Sequence, residues 1–89
     1  MLPEIEKQII IDAARKYNVA AIYLFGSTLT EGAAARDIDL GVLGVPAELF
    51  FEFYAELMKN LPKPVDLIDL KKPTLFNKLV LRDGMKIYG

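Results

Sequence analysis

The chain contains no cysteine and no histidine. Without cysteine there is no disulfide, no thiolate zinc site and no thiol nucleophile. Without histidine, imidazole metal sites, imidazole general bases and Ser-His-Asp hydrolysis are excluded as well. No apolar run approaches the ~20 residues of a membrane-spanning helix. The opening residues, Met1-Leu2-Pro3-Glu4-Ile5-Glu6, are acidic where a secretory leader is basic, so a soluble cytoplasmic protein without membrane contact is expected. Charge of one sign is missing too: 11 basic residues face 12 acidic ones, for a net charge of −1. Phosphate neutralisation needs a Lys/Arg surplus on one face, which argues against direct nucleic-acid binding. Any chemistry must run on carboxylates, hydroxyls, Lys, Arg, Tyr and bound ions.

What is present is apolar. Hydrophobic residues make up 53% of the 89, too many for a disordered chain. The length suits one small domain over residues 1–89. So small a domain cannot bury every apolar side chain, and exposed apolar patches usually mark contact surfaces. A partner chain is therefore expected, either a second copy in a homo-oligomer or a different protein.

The pattern divides into short elements. Pro3, Glu4 and Glu6 suit a helix start, Arg15 and Lys16 its last turn, and Asn18 a left-handed cap. A helix over about 4–17 follows, with Ile5, Ile9, Ala13 and Tyr17 as its inward stripe. Val19 to Phe25 reads as a buried strand ended by Gly26. Asp37 to Leu43 alternates, so Asp37, Asp39 and Gly41 share one face and Ile38, Leu40 and Val42 the other. A helix over about 46–60 places Leu49, Phe50, Phe53, Leu57 and Leu61 toward the core. The aromatic group Phe50, Phe51, Phe53 and Tyr54 covers more than one face of it, as core filling or as part of an interface. Val65 to Leu70 forms a third strand, Pro73 or Thr74 opens a helix with Leu75, Leu79 and Val80 inward, and Lys86 to Tyr88 close the fold as a short strand. This order predicts an α/β (α+β) domain: one small mixed sheet with helices on one face.

Two features carry chemistry. Gly26-Ser27 follows a buried strand and precedes a helix-competent stretch, where backbone N–H groups can meet a phosphate; a plain turn is the alternative. Asp37 and Asp39 are neighbours on one strand face, an arrangement that repels unless a cation lies between them; a solvated outer face is the alternative. If Val65 and Leu67 pack inward beside Ile38 and Leu40, Asp66 joins the same side, while Asp69 points elsewhere or lies beyond the strand beside Lys71 and Lys72. Three such carboxylates make an all-oxygen site for a hard divalent ion, Mg²⁺ above all.

Together, Leu24-Phe25-Gly26-Ser27, Asp37-Ile38-Asp39-Leu40 and Val65-Asp66-Leu67 resemble the motif set of minimal nucleotidyltransferase (MNT) domains, in the DNA polymerase beta-like nucleotidyltransferase superfamily. The resemblance implies a nucleotidyltransferase fold, a Gly26-Ser27 turn that grips a nucleoside triphosphate, and Mg²⁺ (one or two ions) held by Asp37, Asp39 and Asp66. Asp66 would also take the proton of the attacking hydroxyl. Nine residues separate Ser27 from Asp37, one fewer than is usual in the family. The Arg that often follows Gly-Ser is absent; Thr28 and Thr30 occupy that neighbourhood with hydroxyls that can donate to phosphate but bring no charge, so Thr28 is an expected nucleotide contact, and Arg36 is either a compensating nucleotide-binding cation or a neutraliser of the aspartates. Relatives acting on nucleic acid or antibiotics carry an extra acceptor-holding domain, for which 89 residues leave no room. The resemblance thus implies AMP transfer from ATP to a hydroxyl of a partner, a HEPN-domain protein, with this chain as the antitoxin of the pair. The competing expectation is a catalytically weak module of the same fold that neutralises the HEPN partner by docking alone. The short loop and missing Arg favour that alternative, and the aspartate trio opposes it.

Overall fold

The computed structural model describes residues 2–89. Its first helix, α1 (Glu4–Lys16), is entered from an extended Pro3 and left through Asn18, whose φ of 54° supplies the left-handed cap. The buried face is Glu6, Ile10, Ala13 and Ala14, continuing to Tyr17. The expected stripe is thus turned by one residue: Ile5 is 74% exposed and Ile9 only packs against the core's edge. Isoleucines at positions 5, 9, 10 and 11 wrap the helix, so periodicity alone does not select which of them faces inward.

Strand β1 (Ala21–Leu24) leads at Gly26 into the short helix α2 (Gly26–Glu31), a 3₁₀ turn over Gly32–Ala34, and strand β2 (Ile38–Leu43). A second 3₁₀ turn at Ala47–Leu49 precedes α3 (Phe50–Asn60), so the expected helix of 46–60 begins with a tighter turn. Strand β3 (Val65–Asp69), helix α4 (Leu75–Asp83) and strand β4 (Met85–Tyr88) follow. The sheet order is β3-β2-β1-β4, with β1 antiparallel to both neighbours and β2 parallel to β3. A parallel pair needs a crossover, and α3 provides it.

The core lies on one face of the sheet. Ile22, Leu24, Ile38, Leu40, Val42, Val65 and Leu67 pack with Ile10, Ala13 and Ala14 of α1 and with Phe53 and Leu57 of α3. Burying a side chain such as Phe53 contributes about 1.5–3 kcal/mol. Between the helices, the Tyr17 hydroxyl donates to the carboxylates of Glu52 (3.2 Å) and Glu56 (3.3 Å). Burial, reinforced by those carboxylates, pushes its pKa up to about 12.

Helix α4 is oriented differently from the sequence expectation. Val80 is buried, but Leu75 and Leu79 are 75% and 39% exposed, and the other buried residue is Asn77. The Asn77 side-chain amide donates to the carbonyls of Asp69 (3.1 Å) and Lys72 (2.8 Å), and the Thr74 hydroxyl caps the helix by accepting the Asn77 N–H. Satisfying those two loop carbonyls turns the Asn77–Val80 side inward and carries Leu75 and Leu79 to the outside. Of the aromatic group on α3, Phe53 is core while Phe51 is 79% exposed. No helix among the described residues is long and apolar enough to cross a membrane.

Candidate active site

The site forms where β1 leaves the sheet. Phe25 is extended, Gly26 turns at φ 60°, and α2 starts at once. Glycine is required here for two reasons. Positive φ is strained for other residues, and a Cβ on Gly26 would lie 2.7 Å from Oδ2 of Asp39. The turn therefore touches the carboxylate of the neighbouring strand. Ser27 donates its hydroxyl to Oδ2 of Asp39 at 3.4 Å, and its backbone N–H also supports that carboxylate.

The parallel register pairs Ile38 with Val65, Asp39 with Asp66 and Leu40 with Leu67. Paired residues in adjacent strands project to the same face. Val65 and Leu67 are buried beside Ile38 and Leu40, so Asp66 stands next to Asp39 on the opposite side of the sheet. Asp37 lies one residue before β2 on that same side, half-buried. Asp69, three residues beyond Asp66, is on the other face near the strand end, where its carboxylate accepts the Lys71 N–H.

Electrostatics mark this corner as short of positive charge. Burial raises the Asp39 pKa above its ordinary value, the charges of Asp66 and then Asp37 add to the rise, and the Ser27 hydrogen bonds oppose it. No ion pair to Asp37, Asp39 or Asp66 exists among the described residues. Arg36 is exposed and unpaired there, so it does not neutralise the aspartates through a salt bridge. An all-carboxylate donor set with no protein cation paired to it suits a hard divalent ion. In their present rotamers, no three Asp, Glu, His or Cys side chains among the described residues are gathered tightly enough to hold a metal ion.

Thr28 occupies a different place from the other expected nucleotide contacts. It is 1% exposed, and its hydroxyl is engaged by the backbone of β2. It accepts the Asp39 N–H at 2.7 Å and donates to the Asp37 carbonyl at 3.1 Å. Lys63, which no sequence motif singles out, donates its ammonium to the carbonyls of Ala33 and Ala35 at 2.7 Å each, fastening the loop that leads to Asp37. Beside Gly26 opens a mostly apolar groove of about 250 Å³, lined by Phe25, Leu29, Phe76 and Leu79 with Asp83 at its rim.

A mixed sheet in which a strand–Gly-Ser–helix turn meets carboxylates on the adjacent strands is the layout of a nucleotidyltransferase fold. The sequence model described as polymerase beta, nucleotidyltransferase, matches residues 7–89. The chain belongs to that family. No curated relative matches it in sequence. Among solved structures it is similar to a chain of a toxin-antitoxin complex with AMP-PNP, at 27% identity and a TM-score of 0.75, covering 93% of this chain and 73% of that one. It is similar to a chain of the toxin-antitoxin MntA-HepT at 25% identity and a TM-score of 0.73, covering 98% and 73%. A third similarity is to a chain of the complex between tri-AMPylated Shewanella oneidensis HEPN toxin and MNT antitoxin, at 25% identity and a TM-score of 0.72, covering 97% and 71%.

Proposed function

We propose that this protein is an MNT antitoxin that transfers AMP from ATP to a hydroxyl group on a HEPN-domain partner, releasing pyrophosphate. The observation that carries the reading is the Asp39–Asp66 pairing beside the Gly26-Ser27 turn, which unites carboxylates and hydrogen-bond donors in one corner. Similar complexes support it: one contains a tri-AMPylated HEPN toxin with its MNT antitoxin, and another is a toxin-antitoxin complex with AMP-PNP. The cytoplasm, where ATP is available, is the compartment the reading requires.

Asp37, Asp39 and Asp66 would hold Mg²⁺, and the ion would supply charge neutralisation at the phosphates. Ser27 and the turn's backbone N–H groups orient the triphosphate, taking over donors that now point at Asp39. The groove beside Gly26 offers the base an apolar surface. The acceptor oxygen attacks the α-phosphorus, the bond to the bridging oxygen breaks, and pyrophosphate leaves. Asp66, exposed at the open side of the corner, accepts the hydroxyl proton.

One observation favours the docking-only alternative: the Thr28 hydroxyl is already bonded to β2, and no Arg stands beside Gly26-Ser27 to hold the triphosphate. Incubation with labelled ATP, Mg²⁺ and a HEPN-domain partner protein separates the readings. Label on the partner, lost with Asp39→Asn, is the expected result. A partner captured but never labelled, with any divalent metal, would establish the docking module instead.

A further inference from the structure

Thr28 is the most deeply buried polar side chain among the described residues, although it directly follows the Gly26-Ser27 turn. Its surroundings explain why. Strand β1 is antiparallel to β2 with Leu24 opposite Leu40, and the Phe25 N–H still reaches the Asp39 carbonyl at 3.3 Å. At Gly26 the chain turns away from the sheet. Backbone groups of a strand alternate sides, so the Asp37 carbonyl and Asp39 N–H both face the place that β1 has vacated. Left unpaired in a buried position, each would destabilise the fold. The Thr28 hydroxyl satisfies both, donating to one and accepting from the other.

We infer that Thr28 is a positioning residue: its hydroxyl stands in for the missing ladder partner and holds the Asp37–Asp39 segment extended against the Gly26-Ser27 turn. The assignment rests on the nucleotidyl-transfer reading and gives this position a different task from phosphate contact. Two of the three carboxylates sit on the segment it clamps, and the third is registered to that segment through β3. Loosening the clamp therefore changes where Asp37 and Asp39 present their oxygens, while the turn's own N–H groups stay in place. A backbone clamp of this kind acts on metal affinity as other supporting hydrogen bonds do, where removal typically weakens binding by about 10–100-fold.

The test compares wild type, Thr28→Val and Thr28→Ser. Valine keeps the shape and removes the hydroxyl; serine keeps the hydroxyl and removes the methyl. Mn²⁺ binding, read by water-proton relaxation, reports on the carboxylates without any chemistry, and thermal melting reports on folding. Thr28→Val should weaken Mn²⁺ binding by about tenfold or more, and Thr28→Ser should restore it to near the wild-type value even if its melting point is lower. In the AMP-transfer assay the valine variant should lose kcat more than it raises KM for ATP. Wild-type Mn²⁺ affinity in a folded Thr28→Val protein overturns the assignment. If the valine variant does not fold, loss of Mn²⁺ binding in a folded Thr28→Ser protein overturns it equally. A wild type that binds no Mn²⁺ and transfers no AMP refutes the nucleotidyl-transfer reading itself, a distinct result from any difference among the variants.

Discussion

Replacing Asp39 by Asn should make the ligand-free protein more stable while removing its response to Mg·ATP. Asp39 and Asp66 are paired across adjacent parallel strands, which places their carboxylates about 5 Å apart. Two unit charges at that distance repel by about 3 kcal/mol at an effective dielectric constant near 20. Asp66 is exposed and Asp39 half-buried, so solvent screening reduces the net effect to about 1 kcal/mol. For a domain of this size that corresponds to a rise in Tm of about 4–8 °C. The Ser27 donors keep a partner, because an Asn carbonyl oxygen also accepts them, though without the carboxylate's charge. The pH dependence follows from the sign of the Asp39 shift. A carboxyl whose folded pKa is raised binds more protons folded than unfolded, so the wild type gains stability as pH falls through that raised pKa toward the ordinary 3.8. The advantage of Asp39→Asn is therefore complete at neutral pH and vanishes below 3.8. Ligand reverses the order: at 100 times its Kd, Mg·ATP adds about 2.7 kcal/mol to the wild type and little to the variant. Scanning calorimetry with and without Mg·ATP, at neutral and acid pH, measures all of this. An apo Asp39→Asn protein that melts below wild type at neutral pH, or Mg·ATP shifts of equal size in both proteins, would refute the electrostatic account of the site.

Two further substitutions probe the frame around it. Phe53→Ala removes a ring that is 0% exposed and should lower stability by about 3–5 kcal/mol. Domains of this length have about 4–13 kcal/mol in total, so the urea midpoint should fall by about a quarter or more; a smaller drop would mean that α3 collapses onto the gap. Gly26→Ala forces a side chain into a φ of 60° and sets its Cβ 2.7 Å from Oδ2 of Asp39. It should lose about 1–2 kcal/mol to backbone strain and abolish the Mg·ATP-induced melting shift, whereas an unchanged shift would place the triphosphate elsewhere.

Much of the fold was legible because it depends on local pattern. The alternation of Asp37 to Leu43, the apolar run before Gly26 and the amphipathic α3 each declare their element through side-chain period, and the structure places strands and helix there within a few residues. The convergence of Asp66 on Asp39 was legible only conditionally, since it follows from Val65 and Leu67 facing the core. Where periodicity was degenerate, the reading slipped. Apolar residues surround α1, and Leu75 and Leu79 imitate a core stripe on α4. In α4 the deciding residue was a polar one, Asn77, whose amide has to reach two loop carbonyls contributed by other parts of the chain.

The sequence by itself determined the kinds of chemistry open to this protein: it has neither thiol nor imidazole, and its candidate carboxylates lie on strands of defined phase. Side-chain phase is a property of consecutive residues, so it needs no knowledge of neighbours. Only the tertiary structure decided which hydroxyl faces a carboxylate and which faces backbone. Ser27 and Thr28 are adjacent and chemically alike, yet one points at Asp39's carboxylate and the other is buried against β2. That division depends on where β1 departs from the sheet and what its departure leaves unpaired, and those are relations between strands distant in sequence.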